Sequence, residues 1–258
     1  MEMLGYFKKI MNLGKEDFIY IFVHMPKTAG YTLIEHIKAN FSKEEVLRLY
    51  VGANEFKSME EIYELLNSLS DSQKKKIKFI YGHSVFYGIH KFFNKKPKYI
   101  IFLRDPVSRT VSHYNHNRMV YCEHSIIYKP SILSEDGRVL SFEKWFKDPA
   151  LHNYMTKFLL SIFQRTNNES VIRNSEDFLK VVKEVLDKFY FIGLVENSRK
   201  DMSCLFRELG IKEDFEDKNI SKKYFVLRDE ELRKLIESKC NWDIKLYEYA
   251  KRLNSEFR

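Results

Sequence analysis

Apolar and polar positions along this chain switch repeatedly between a continuous run and a helical period. Phe18 to Val23 (FIYIFV) is an unbroken run of aromatic and β-branched residues, the pattern of a buried strand. From Thr32 the pattern changes: Leu33, Ile34 and Ile37 fall at helical spacing with polar residues between them. Val46 to Val51, Ile77 to Tyr81, Tyr99 to Leu103 and Phe189 to Val195 predict further strands. Between them, Ser58 to Leu69 predicts a helix with Met59, Ile62, Leu65 and Leu66 as its stripe and a Ser58/Glu61 capping box at its start. A second capped helix runs from Asp105-Pro106 to about Met119. Others are expected over 141–147, 153–163, 175–187, 198–209, 229–239 and 242–253. Residues 1–17 read as an N-terminal extension, Cys122 to Val139 as a loop, and Ser221 to Val226 as irregular and basic. Strands alternating with helices predict one α/β domain over 1–258, a parallel sheet with helices on both faces.

In such a sheet, ligands bind beyond the carboxyl ends of the strands, and three polar features fall there. The first strand passes to its helix through Met25-Pro26-Lys27-Thr28-Ala29-Gly30. Free backbone N–H groups and the positive end of a helix dipole make that joint suited to phosphate. Ile77 to Tyr81 runs into Gly82-His83-Ser84, which places a histidine at a strand end. Tyr99 to Leu103 ends in Arg104-Asp105-Pro106, with Ser108 and Ser112 one and two helical turns further on. An arginine fork with a nearby hydroxyl suits a phosphate monoester, unless Arg104 is instead paired with Asp105 or another carboxylate. The first joint is not a Walker A loop, since Ile21 and Pro26 stand where that motif needs glycine. No acidic residue stands out as a metal ligand after a strand, so a magnesium-dependent kinase is disfavoured.

Composition adds little to this and removes some alternatives. The chain has 258 residues, 44% hydrophobic and 31% charged, as expected of a globular protein. Its net charge of +8 points to an acidic partner, although Lys74 to Lys76 and Lys95-Lys96 read as solvated surface. Cys122, Cys204 and Cys240 show neither metal-ligand nor disulfide spacing, which favours a reducing compartment. Lys8 and Lys9 are followed by no long apolar run, and no stretch reaches the ~20 apolar residues of a membrane span. A cytoplasmic protein is expected.

The motifs at these joints resemble those of a known family. HMPKTAGYTL (24–33) resembles the 5′-phosphosulfate loop of sulfotransferases that use 3′-phosphoadenosine 5′-phosphosulfate, and FLRDPVSRTVSHY (102–114) resembles their 3′-phosphate motif. YGHSVFYGIHKFFNKKPKYIIFLRDP (81–106) is similar to the corresponding stretch of carbohydrate sulfotransferases of the heparan sulfate 2-O type. Weaker similarity continues through NYMTKFL (153–159), FIGLVE (191–196) and WDIKLYEYA (242–250).

The resemblance implies a P-loop-like sulfotransferase fold and assigns roles. Lys27 would stabilise charge on the leaving phosphate. Thr28, Ala29, Gly30 and Thr32 would hold the 5′-phosphosulfate through N–H groups and hydroxyls. Tyr31 stands where the family commonly has a small hydroxyl residue, and its backbone N–H can still donate. Arg104 and Ser112 would grip the 3′-phosphate, and His83 would be the general base toward an acceptor hydroxyl, on a carbohydrate or glycan, with no metal. His24 could touch the acceptor side or simply end its strand. His113 and His116, three apart on the second-joint helix, lack a third metal ligand and read as packed or solvent-facing. A nucleotide kinase and a non-enzymatic basic polyanion-binding module remain as alternatives, and the second leaves the paired joints unexplained.

Overall fold

The computed structural model describes residues 17–52, 55–123, 132–164, 175–212 and 223–256. Residues 1–16 of the N-terminal extension, 124–131 of the expected 122–139 loop and the start of the basic 221–226 segment lie outside the described residues.

The first apolar run forms β1 (Phe18–Val23), and α1 (Gly30–Asn40) follows it. Then come β2 (Val46–Arg48), α2 (Met59–Ser68), α3 (Asp71–Lys76), β3 (Phe79–Gly82) and β4 (Lys96–Leu103). The second half contains α4 (Pro106–Glu123), α5 (Phe142–Trp145), α6 (Tyr154–Gln164), α7 (Ser175–Leu186), β5 (Phe191–Leu194), α8 (Ser198–Leu209), α9 (Glu230–Lys239) and α10 (Asn241–Glu256). All described strand pairs are parallel and their order is β2-β3-β1-β4-β5, the α/β architecture expected from the sequence.

Successive side chains of a strand face opposite ways, so β1 feeds two cores at once. Ile19, Ile21 and Val23 join the core that packs α2, α6, α7 and α10, whereas Phe22 joins Leu33, Ile34 and Ile37 of α1 and Met202, Leu205 and Phe206 of α8. A third cluster packs α4 on α5 and α9 through Val107, Tyr114, Phe142, Trp145, Leu232 and Ile236. That cluster sets the rotation of α4, and therefore which of its side chains face the sheet ends.

Several details differ from the sequence reading. β2 stops at Arg48, three residues short of the expected end, and Val51 keeps only an isolated bridge to Phe56. β4 begins at Lys96 and includes Pro97, which the sheet tolerates because β5 pairs only with Ile100 to Leu103. The Ser58 side chain makes no capping bond, and Glu61 accepts from the backbone N–H of Lys57 instead. A formed capping box lies at Ser70/Gln73, opening the unexpected α3. Lys95 is buried rather than solvated: its Nζ donates to the carbonyls of Lys75 and Ile77 at the end of α3.

Candidate active site

The order of connection reverses between the parallel neighbours β1 and β4, since β1 connects toward β2 on one side and β4 connects to β5 on the other. A crevice at such a switch point is where open α/β sheets bind ligands. Lys27 leaves β1 on one side of it and Arg104 leaves β4 on the other, and Arg104 Nη1 donates to the Lys27 carbonyl at 3.5 Å.

The loop after β1 is held in an uncommon conformation. Lys27 (φ 71) and Ala29 (φ 58) are both left-handed although neither is glycine, which costs about 1–3 kcal/mol each and concentrates at functional sites. Alternating backbone of this kind forms N–H concavities for anions. The start of α1 has no side-chain cap and no acidic residue in its first turn, so its positive end is left for a ligand. Thr28 is fully buried and its hydroxyl donates to the Met25 carbonyl at 2.9 Å, so toward a ligand it offers its N–H. The Thr32 N–H is directed to the Ala29 carbonyl at 3.3 Å, which leaves the Thr32 hydroxyl for that role. Tyr31 is 58% exposed at the mouth of the loop. Gly30 is needed for space: a Cβ there would lie 2.2 Å from His24 Cδ2.

The electrostatics of the site favour an anion. Burial first, then Arg104 and Arg109, lower the Lys27 pKa from 10.5 to about 8. Burial and the Lys27 charge hold His116 down to about 4, and burial, Arg109, His116 and Lys27 hold His113 down to about 3. Both histidines are therefore neutral. The nearby carboxylates are otherwise engaged. Asp105 caps the Ser108 N–H at 2.8 Å, as its N-cap position predicts, and Glu196 accepts from the Asp105 N–H and the Tyr247 hydroxyl. Buried Arg104 Nε, Arg109 Nε and Nη2, His113 Nδ1 and His116 Nδ1 have no hydrogen-bond partner. Buried cationic donors without partners are costly unless a ligand satisfies them, and the donor set here suits a polyanion bearing phosphate-type groups. Arg104 is thus not spent in an ion pair with Asp105. Ser112 sits part-buried on α4, two turns from Arg104.

His83 is linked to this cluster through His24, whose ring charge is disfavoured by burial and then by both His83 and Lys27. Its Nδ1 donates to the His24 carbonyl at 2.5 Å, which leaves the Nε2 lone pair unprotonated. Burial lowers the His83 pKa, opposed by that hydrogen bond, so the ring is a neutral base at physiological pH. His24 does more than end its strand. It is 3% exposed, its ring lies 4.5 Å from that of His83, and its Nδ1 lies 2.6 Å from the Tyr50 hydroxyl.

Sequence reasoning did not single out Arg109 or Tyr50. Arg109, His113 and His116 follow an i, i+4, i+7 spacing, a polar stripe on one face of α4 that could have flagged them. Nothing local marks Tyr50, which reaches His24 only through the β2–β3 pairing. The similar stretches at 153–159 and 242–250 form a mutual lock: Asp243 accepts from Met155 N, Thr156 N and the Thr156 hydroxyl, while Asn153 accepts from Trp242 N and Asp243 N. Among the described residues no group of three or more His, Cys, Asp or Glu side chains could hold a metal ion, and no helix is long and apolar enough to cross a membrane.

The family described as "Sulfotransferase domain" matches residues 21–236. Heparan sulfate 2-O-sulfotransferase 1 of Xenopus laevis is 33% identical over 103 residues, and the human protein 31% identical over 104 residues. These matches cover 38% and 39% of this chain but only 29% of each relative's length. Among solved structures, a sulfotransferase from Alicyclobacillus acidocaldarius aligns over 89% of this chain and 94% of its own, with 14% identity and a TM-score of 0.42. Mouse sulfotransferase SULT7A1, crystallised with PAP, aligns over 88% of this chain and 65% of its own, with 15% identity and a TM-score of 0.40. The family match extends from the first strand to the ninth helix, well beyond either strand-to-helix joint, and the chain belongs to the sulfotransferase family of transferase enzymes.

Proposed function

We propose that this chain transfers a sulfuryl group from 3′-phosphoadenosine 5′-phosphosulfate to an acceptor hydroxyl, on a carbohydrate or glycan, in a cytoplasmic setting. The observation that carries this reading is the cationic cluster of Lys27, Arg104 and Arg109, in which Arg104 Nε and Arg109 Nε and Nη2 lack hydrogen-bond partners, together with a histidine whose Nδ1 bond leaves Nε2 as the basic nitrogen. When bound, the donor supplies an activated sulfuryl group.

The chain's own residues have separable tasks. Lys27 and the N–H groups of Thr28, Ala29, Gly30 and Tyr31, with the Thr32 hydroxyl, hold the 5′ end and stabilise negative charge there. Arg104 and Ser112 hold the 3′-phosphate. A dianion among these cations raises the Lys27 pKa, which keeps its ammonium charged where charge develops. His83 Nε2 accepts the acceptor's hydroxyl proton while the Nδ1 bond to the His24 carbonyl keeps the ring oriented. The relatives' name specifies a glycan, heparan sulfate, which together with the basic charge supports a carbohydrate acceptor. Three unpaired cysteines support a reducing compartment.

The test is transfer of radiolabelled sulfate from the donor into a panel of glycan, lipid and small-molecule alcohols, with His83→Ala alongside. The variant is expected to lose roughly 10²–10⁴-fold in turnover while binding adenosine 3′,5′-bisphosphate like the wild type. Wild-type turnover in the variant removes His83 from the mechanism. Transfer to no acceptor removes the function.

A further inference from the structure

We propose that Tyr50 and His24 form a positioning pair for the general base, in which the Tyr50 hydroxyl donates to His24 Nδ1 and the His24 ring in turn holds His83. The inference rests on the reading of His83 as that base.

The geometry is unusually constrained for an imidazole at the end of a strand. His24 is clamped on several sides: its ring stacks on Phe22 at 5.4 Å, meets Tyr31 edge-on at 5.7 Å and lies 4.5 Å from His83 at an interplanar angle of 35°. The Tyr50 ring stands edge-on to His83 as well, at 4.7 Å and 77°. Backbone hydrogen bonds tie Tyr50 to the His83 turn from both sides. Ser84 N donates to the Leu49 carbonyl at 3.1 Å, and Val51 N donates to Ser84 Oγ at 2.9 Å. The Arg48 guanidinium lies over the Tyr50 ring at 5.0 Å and is itself paired with Glu55.

Tyr50 is thereby a fixed donor rather than a mobile surface phenol. A hydroxyl directed at His24 Nδ1 selects the neutral Nε2–H form of that ring, whereas His83, bonded to a carbonyl through Nδ1, takes the opposite Nδ1–H form. Two adjacent imidazoles locked in opposite tautomers leave one of them, His83, with Nε2 as its basic nitrogen. The carbonyl that His83 uses belongs to His24, so displacement of His24 also moves the anchor of the base.

The experiment is Tyr50→Phe, which keeps the ring and removes the hydroxyl. ¹⁵N NMR of the histidines in the wild type is expected to show His83 as Nδ1–H and His24 as Nε2–H. In the variant the His24 signal should move toward a mixture of tautomers. Turnover is expected to fall roughly 10- to 100-fold, the scale of a small misplacement of a reacting group, with the donor KM within about twofold of wild type. His24 found as Nδ1–H in the wild type overturns the proposal. So does a variant with wild-type kcat, or one whose loss merely tracks lowered stability or weakened donor binding. The tautomers are read without substrate, so a wild-type protein that sulfates nothing in the panel refutes the assigned function while this pair is still tested.

Discussion

The low pKa of Lys27 has a consequence for stability that separates its role in binding from its role in folding. Burial and the neighbouring Arg104 and Arg109 charges cost the folded state something whenever Lys27 is protonated. In the folded protein Lys27 releases its proton near pH 8, and in the unfolded chain near 10.5. Between these values the unfolded chain binds more protons, so stability rises with pH there. The penalty is fully present below about pH 8 and vanishes above about 10.5. The gap corresponds to at most about 3–4 kcal/mol, and solvent reaching the part-exposed side chain reduces it to about 1–3 kcal/mol. Lys27→Met, which keeps the stem and removes the charge, should therefore stabilise the ligand-free protein by about 1–3 kcal/mol at pH 7, or roughly 2–10 °C in Tm. It should at the same time abolish productive donor binding. Urea unfolding of both proteins across pH 6.5 to 10.5 measures the difference, which should shrink as pH rises. Calorimetry in buffers of different ionisation enthalpy supplies a second reading. At pH 8 the wild type should take up about half a proton on binding adenosine 3′,5′-bisphosphate, as an anion restores the ammonium. A Lys27→Met variant no more stable than wild type at pH 7, or a difference that ignores pH, would refute the reasoning.

Two further substitutions test the frame around the site. Gly82→Ala places a Cβ 1.8 Å from the Leu49 carbonyl oxygen at a residue with φ +153, so β3 must separate from the segment carrying Tyr50. A loss of about 1–3 kcal/mol is expected, with turnover falling further than stability alone accounts for; unchanged kcat would contradict it. Asp243→Ala strips the cap from α6 and leaves two buried N–H groups and the Thr156 hydroxyl without their acceptor. Chemical denaturation should show a loss of about 2–4 kcal/mol with adenosine bisphosphate affinity little changed in the folded fraction.

How much of this was legible beforehand depends on how local the cause is. β1, the capped start of α4 and the joints at Lys27 and Arg104 follow from short runs of residues acting on their immediate neighbours. α3 was missed because Asp71 to Lys76 offers no apolar stripe, and only its Ser70/Gln73 box announces it. The Ser58/Glu61 pattern has the right letters, but the carboxylate reached one residue further back. Lys95 looked solvated because nothing in KKP says that two carbonyls at the end of α3 lie within its reach.

The sequence by itself determined the alternation of strands and helices, the phosphate-suited joints and the histidine at the end of β3, since each arises from backbone propensity and capping within a few residues. Only the tertiary structure decided that Arg109, His113 and His116 turn toward Lys27, because the rotation of α4 is set by its packing on α5 and α9. The same holds for Tyr50, which meets His24 across 26 residues of chain. It holds above all for the charge states, because desolvation and cation–cation repulsion depend on who is buried beside whom, and no spacing in the chain encodes that.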